Sequence, residues 1–398
     1  MLVVSVSVVC VCVLFWAWLT PFILIYTNFR EPLPHLSFVN NKFTIVQFAD
    51  LHFGEADKKD YNSIIGMRNI LAAEDSVDLI IFSGDQISGD VIPDMDGHRI
   101  KWIESLSVVG EFKIPFVTLF GNHDDRPYGF NPSEAFQWMI YLIVSYVCLT
   151  CLLIIIYHTL PCIKHTIRRY IPQIALLFVI IVAGYFITSP SSRVRNYLHK
   201  LEANTYPSLS YSSPVDADCN TCNFFLPLLV NGTVVFNILT LDSGGGRIPY
   251  GVSGSYSDWI ANNPTWVDET DFIAFFHVPT PEFKDVYAGS TSADCFGELN
   301  TEPNNENLNH ALVSLKSSLK YSKARAVFVG HDHGNDWCCR ATNEWPSLCY
   351  GKHTGFGGYG EWERGARVVR LELDNTGKVA IETWLRMVDG SIRSRGFI

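Results

Sequence analysis

FTIVQFADLH, residues 43–52, is the stretch whose reading decides the fold. Residues 43–49 have the composition of a strand buried on both faces, and the run then breaks into Asp50-Leu51-His52. The same event recurs along the chain. DLIIFS (78–83) ends in Gly84-Asp85, and IPFVTLF (114–120) in Gly121-Asn122-His123-Asp124. DFIAFF (271–276) ends in His277, and ARAVFV (324–329) in Gly330-His331-Asp332-His333. Apolar strands that repeatedly release Asp, His and Asn at one end of a sheet are how an α/β protein builds a site in its loops.

Working outward, YNSIIGMRNILAAE (61–74) carries apolar residues at helical spacing, and a second helix is expected over about 96–110. Residues 43–130 therefore read as β-α-β-α-β. Further on, 192–201 reads as a helix, and 223–243 as a hairpin turning at Asn231-Gly232. A helix near 307–320 precedes the strand at 324–329, and 366–388 forms a second hairpin with Asn375-Thr376-Gly377 at its turn. Residues 351–360, rich in Gly and Tyr, read as a loop near the site, without the Gly-Lys-Ser/Thr ending of a P-loop. The pattern predicts a four-layer αββα sandwich, two sheets between helices, formed by residues 43–137 and 190–390.

Composition narrows the partners. The net charge of −10 opposes a polyanionic backbone, so nucleic acid is not expected. The 48% hydrophobic content is concentrated in apolar runs. Residues 1–27 read as a signal anchor or a signal peptide, with no Lys or Arg before Arg30. Residues 138–189 hold two runs, each long enough for one bilayer crossing, around a loop bearing Lys164, His165, Arg168 and Arg169. This insert reads as a transmembrane hairpin; a translated intron is the alternative. Basic loops favour the cytosol, which would place the rest of the chain in the lumen or outside the cell, membrane-bound, or secreted if residues 1–27 are cleaved and the insert is not genuine. Asn231-Gly232-Thr233 is a glycosylation acceptor. Of eleven cysteines, Cys219, Cys222, Cys295, Cys338, Cys339 and Cys349 lie outside the apolar runs, and Cys338 or Cys339 is expected to pair with Cys349.

Carboxylate, imidazole and amide donors without thiolate suit Fe, Mn or Zn, with Mg a poorer match. Seven strong donors exceed the needs of one ion. Two ions about 3.5–4 Å apart, sharing Asp85, would use them all, and a water between them would lose a proton near neutral pH and attack phosphorus.

These five segments, in this order, resemble the calcineurin-like metallophosphoesterase superfamily. GNHDD (121–125), FFHVPTPEF (275–283), FVGHDHGNDWC (328–338) and LCYG…GFGGYG…WERGARVV (348–369) resemble the small purple-acid-phosphatase-related proteins of plants and fungi. The resemblance implies that Asp50, His52, Asp85 and His333 hold one metal, and that Asp85, Asn122, His277 and His331 hold the other. It makes His123 the phosphate-facing stabiliser or proton donor, oriented by Asp124. Two departures matter. Ser88 stands where purple enzymes carry a Tyr ligand, and His52 is a ligand they lack. The Gly-Asp-x-x-Asp-Arg-Gly of phosphoprotein phosphatases is here Gly84-Asp85-Gln86-Ile87-Ser88-Gly89-Asp90, without Arg.

The expected activity is hydrolysis of phosphate monoesters. Hydrolysis of diesters or pyrophosphates on nucleotides or lipid headgroups is a second reading, and a non-catalytic membrane protein with a structural metal site is a third. His353 is expected to be a solvated loop residue, and His98, His199 and His310 plain surface residues.

Overall fold

A computed structural model describes residues 33–126, 190–212, 223–245, 270–289, 295–298, 323–340 and 346–398. The apolar segments 1–27 and 138–189 and the helix expected near 307–320 lie outside them. Among the described residues no helix is long and apolar enough to cross a membrane.

The folded unit opens with β1 (Leu36–Ser37), β2 (Lys42–Phe48), α1 (Asp57–Ala72), β3 (Leu79–Ser83), α2 (Met95–Ser105), α3 (Ser107–Phe112) and β4 (Phe116–Leu119). Then come α4 (Pro190–Thr205), β5 (Phe224–Val230), β6 (Thr233–Thr240), β7 (Phe272–Phe275) and α5 (Pro281–Gly289). The chain closes with β8 (Cys295–Phe296), β9 (Ala324–Val329), β10 (Cys338–Cys339), β11 (Ser347–Tyr350), β12 (Gly365–Leu373), β13 (Val379–Met387) and β14 (Ile392–Phe397). The strands form two mixed sheets, ordered β14-β13-β12-β2-β3-β4 and β1-β5-β6-β7-β9-β11-β10-β8. Strands β2, β3 and β4 run parallel, as do β6, β7, β9 and β11, so each sheet gathers its C-terminal strand ends along one edge.

Side-chain alternation explains how each sheet is covered. Val46, Phe48, Ile80 and Phe82 pack with Met67, Ile70, Trp102 and Leu198 from the helices, all fully buried. On the larger sheet, Leu239, Ala274 and Val327 pack with Phe283 of α5 and with Trp337. Each such large side chain contributes about 1.5–3 kcal/mol on burial. The opposite face of β2 carries Gln47, whose Nε2 donates to Ser83 Oγ in its own sheet and to the Val329 carbonyl of the other.

The hairpin at Asn231-Gly232 forms as expected, with φ of 50° and 81° suiting a two-residue type I′ turn. Helix α1 starts earlier than expected, where Asp57 and Asp60 place negative charge in its first turn. The helix expected over 96–110 is two helices. The Leu106 N–H bonds back only three residues, to Ile103, and the tightened turn ends α2. His98 and His199 are buried, which corrects their reading as surface residues. His98 Nδ1 meets the Asp94 carbonyl, while His199 stacks on Phe120 and reaches Thr118 Oγ1 at 3.1 Å. His310 lies outside the described residues.

Cys338 pairs with Cys349 and Cys339 with Cys295, each across directly opposed positions of neighbouring strands. Cys219 and Cys222 lie outside the described residues.

Candidate metal centre

The parallel strand ends deliver their polar residues to one place. Asp50, His52 and His333 form one group of potential metal donors, and Asp85, His277 and His331 a second, with donor atoms of each group within 4.8 Å of one another. Asn122 belongs with the second group, its Oδ1 lying 3.0 Å from His331 Nδ1 and 3.3 Å from His277 Nε2. Asp85 faces both groups, its Oδ2 being 3.1 Å from His277 Nε2 and 3.6 Å from His52 Nε2. The seven expected donors are therefore brought together.

The local backbone shows what this gathering requires. Asp50, His52, Asp85 and His331 have φ of 57°, 52°, 53° and 75°, in the left-handed region that costs roughly 1–3 kcal/mol for a residue with a Cβ. Hydrogen bonds between the loops hold them there. Asp50 N–H donates to the Gly84 carbonyl, His52 N–H to the Asp85 carbonyl, and His331 N–H to Asp50 Oδ1. The ring orientations are set the same way. His277 Nδ1 faces the Ser83 carbonyl and His333 Nδ1 the Tyr359 carbonyl, both at 2.9 Å, so each ring donates from Nδ1 and turns Nε2 inward.

Burial dominates the electrostatics. It pushes Asp50 up to about 7 and, with help from the Asp85 charge, Asp124 to about 7. It lowers His52, takes His333 down to about 4, and, with the His277 charge, takes His331 down to about 3. For His277 burial is outweighed by the charge and hydrogen bond of Asp85, and the ring rises to about 9. Burial would likewise raise Asp85, but His277, His123 and His52 hold it well below the carboxylate range. The donor set fits divalent or trivalent ions. Its carboxylates and inward-facing imidazole nitrogens are buried close to one another, without thiolate.

His123 stands beside the donors, its ring centroid 5.1 Å from that of His52. Its Nδ1 is 3.1 Å from Asp90 Oδ1. Although burial lowers its affinity for a proton, the charges of Asp85 and Asp90 more than offset this and leave it raised. The expectation that Asp124 orients His123 is corrected. The Asp124 carboxylate accepts three backbone N–H groups, from Asp85, Ile87 and Gly121, and so clamps two ligand loops together. Sequence reasoning missed Asp90, whose signal was its place as a second acid in the loop after β3. It also missed Arg195, which holds buried Asp125 at 2.8 Å and pairs with Asp242 at the end of β6. His353 is not solvated. It is buried with its ring centroid 3.9 Å from that of His333.

Residues 43–174 match the family described as Calcineurin-like phosphoesterase. The chain is 25% identical over 383 residues to "Probable inactive purple acid phosphatase 29" of Arabidopsis thaliana, covering 88% of this chain and 84% of that protein. It is 26% identical over 382 residues to "Phosphatase DCR2" of Saccharomyces cerevisiae, covering 87% of this chain and 54% of the yeast protein. Among solved structures, a dimetal phosphatase from Danio rerio aligns with TM-score 0.47 and 11% identity, over 87% of this chain and 96% of that one. Residues 43–174 thus match a calcineurin-like phosphoesterase domain, and the chain as a whole is similar to purple-acid-phosphatase-like proteins of plants and to a yeast phosphatase.

Proposed function

We propose that this chain hydrolyses phosphate monoesters at a centre of two metal ions, Fe, Mn or Zn, within a four-layer αββα sandwich. The observation that carries the reading is Asp85, which faces both donor groups, with His123 beside them, its proton affinity raised by the charges of Asp85 and Asp90. Asp50, His52, Asp85 and His333 would hold one ion, and Asp85, Asn122, His277 and His331 the other. When bound, the ions supply positive charge that neutralises phosphoryl oxygens and activates water.

The chain's own residues do the rest. Asp124 fixes the spacing of the loops after β3 and β4, which sets where the phosphorus atom can sit relative to His123. Asp90 orients the His123 ring and favours its protonated form, so that the ring can stabilise a phosphoryl oxygen and give a proton to the departing alcohol. The word "inactive" belongs to the plant relative's name; every donor of the two-ion set is present in this chain.

The test is the purified chain, analysed for metal and screened with p-nitrophenyl phosphate and its bis-ester. Two ions per chain and faster monoester turnover are expected. Fewer than two ions with no hydrolysis overturns the proposal, and preference for the bis-ester replaces monoester by diester chemistry. We also place the domain in the lumen of the secretory pathway or outside the cell, anchored through 138–189, on the apolar composition of that insert and its basic loop. Protease protection in sealed microsomes tests this, and cleavage of the domain before detergent is added would reverse the orientation.

A further inference from the structure

Glu55, five residues beyond Asp50, has no role in the site so far, yet it touches the supports of two donors. Its Oε1 accepts the Ser88 hydroxyl at 3.0 Å and the Gly358 N–H at 3.0 Å, while Lys59 holds Oε2 at 2.8 Å. Ser88 Oγ lies 2.9 Å from His52 Nδ1. A hydroxyl that has given its proton to a carboxylate offers only lone pairs to its other neighbour. His52 must then donate from Nδ1, which leaves Nε2 as a lone pair facing the site.

The second contact leads to His333. Gly358 precedes Tyr359, whose carbonyl accepts from His333 Nδ1 at 2.9 Å and whose ring stacks on the imidazole, 3.9 Å between centroids and 11° between planes. Gly358 itself has φ +69°, and a Cβ there would stand 2.4 Å from His333 Cε1 and 2.8 Å from His52 Cδ2. The loop is seated on both rings, and Glu55 ties it down at that point.

We infer that Glu55 is a positioning residue for the Asp50/His52/His333 group, fixing the tautomer of His52 through Ser88 and the seat of His333 through Gly358. It does not serve the other group, where His277 is oriented by the Ser83 carbonyl. The inference rests on the two-ion reading above, and its signature is selective. Loss of Glu55 weakens one ion and leaves the other.

The experiment is Mn²⁺ titration of the metal-stripped full chain by calorimetry, with metal counted per chain after dialysis. Glu55→Ala should bind one Mn²⁺ as the unaltered protein does, and the other about ten- to a hundredfold more weakly, the size of effect that loss of a ligand's supporting partner produces. Glu55→Gln keeps Oε1 for both contacts and should restore the second ion. Ser88→Ala, a smaller truncation that tests the same path should Glu55→Ala fold poorly, should weaken the same single ion. Two ions at unaltered affinity in both Glu55→Ala and Ser88→Ala overturn the inference while leaving the two-ion centre standing. Equal weakening of both ions also overturns it. Fewer than two ions in the unaltered protein overturns the underlying reading instead.

Discussion

The two donor groups differ in what holds them. Asp85, His277 and His331 hang from strand ends, with His277 on the Ser83 carbonyl and the N–H groups of Asp85 and His331 on the buried carboxylates of Asp124 and Asp50. A Cβ at Gly84 would stand 2.6 Å from His277 Nδ1 and 2.8 Å from the Gly121 nitrogen, so the packing leaves nothing to adjust. Asp50, His52 and His333 are instead finished by side chains and a glycine-rich loop, namely Ser88, Glu55, Gly358 and Tyr359. Sheet ends are rigid, whereas such loops sit at the adjustable end of the stability range. One ion should therefore be a fixture of the fold and the other an exchangeable partner.

The largest effect expected is at the one residue that belongs to both sides. Asp85→Asn should remove both ions and lower phosphatase activity at least about a thousandfold, the equivalent of several kcal/mol of lost charge stabilisation. Retention of either ion at full affinity would break the idea that the groups share this carboxylate. His123→Ala comes next, with kcat down about a hundredfold and both ions retained, as loss of a proton donor predicts. Asp90→Asn should reproduce a smaller part of that loss, while Asp124→Asn should act on stability, since its oxygens serve the backbone.

The pH dependence of metal affinity separates the groups further. In the metal-free protein the proton on His277 persists up to about 9, and a metal must displace it. Affinity at that group should therefore fall about tenfold per pH unit on acidification below 9. The Asp50 carboxyl takes up its proton only below about 7, so the other group should hold its affinity until that point. His52, His331 and His333 are held neutral by burial and do not compete over this range. Calorimetry in buffers of different ionisation heat measures the protons released. The same release at both groups at pH 8 would contradict the assignment. Gly358→Ala should loosen the Asp50/His52/His333 ion while sparing the other and, since its Cβ would crowd both imidazoles at a φ of +69°, should also lower the melting temperature of the metal-free protein.

Much of this was legible in the sequence because strands buried on both faces are continuous apolar runs, and a polar residue at their end has few other reasons to exist. The five strand ends and both hairpins were read from such runs and from turn residues. The contacts made by Glu55 and Asp90 were not legible, since the partners of Glu55 lie 33 and 303 residues away and that of Asp90 lies 33 residues away, beyond two helices and a strand. The short strands β8, β10 and β11 were missed for a related reason. Two to four residues carry no periodicity, and only pairing with distant neighbours makes them strands. His98, His199 and His353 were read as surface residues because a single polar residue on a helix or in a loop cannot report that its partners are folded over it.

Strand β10 is two residues long, both of them cysteines, and each is bonded to a different neighbouring strand. During oxidative folding the chain thus offers two adjacent, chemically equal thiols to two partners. A slip of one position would carry Cys339 into the place opposite Cys349, turn both side chains to the wrong faces and leave Cys295 unmatched. Only one alignment lets both bonds close. The pair works as a vernier, in which two marks must coincide before either is fixed. Because His333 lies five residues upstream, closing the bonds also certifies where the ligand loop ends.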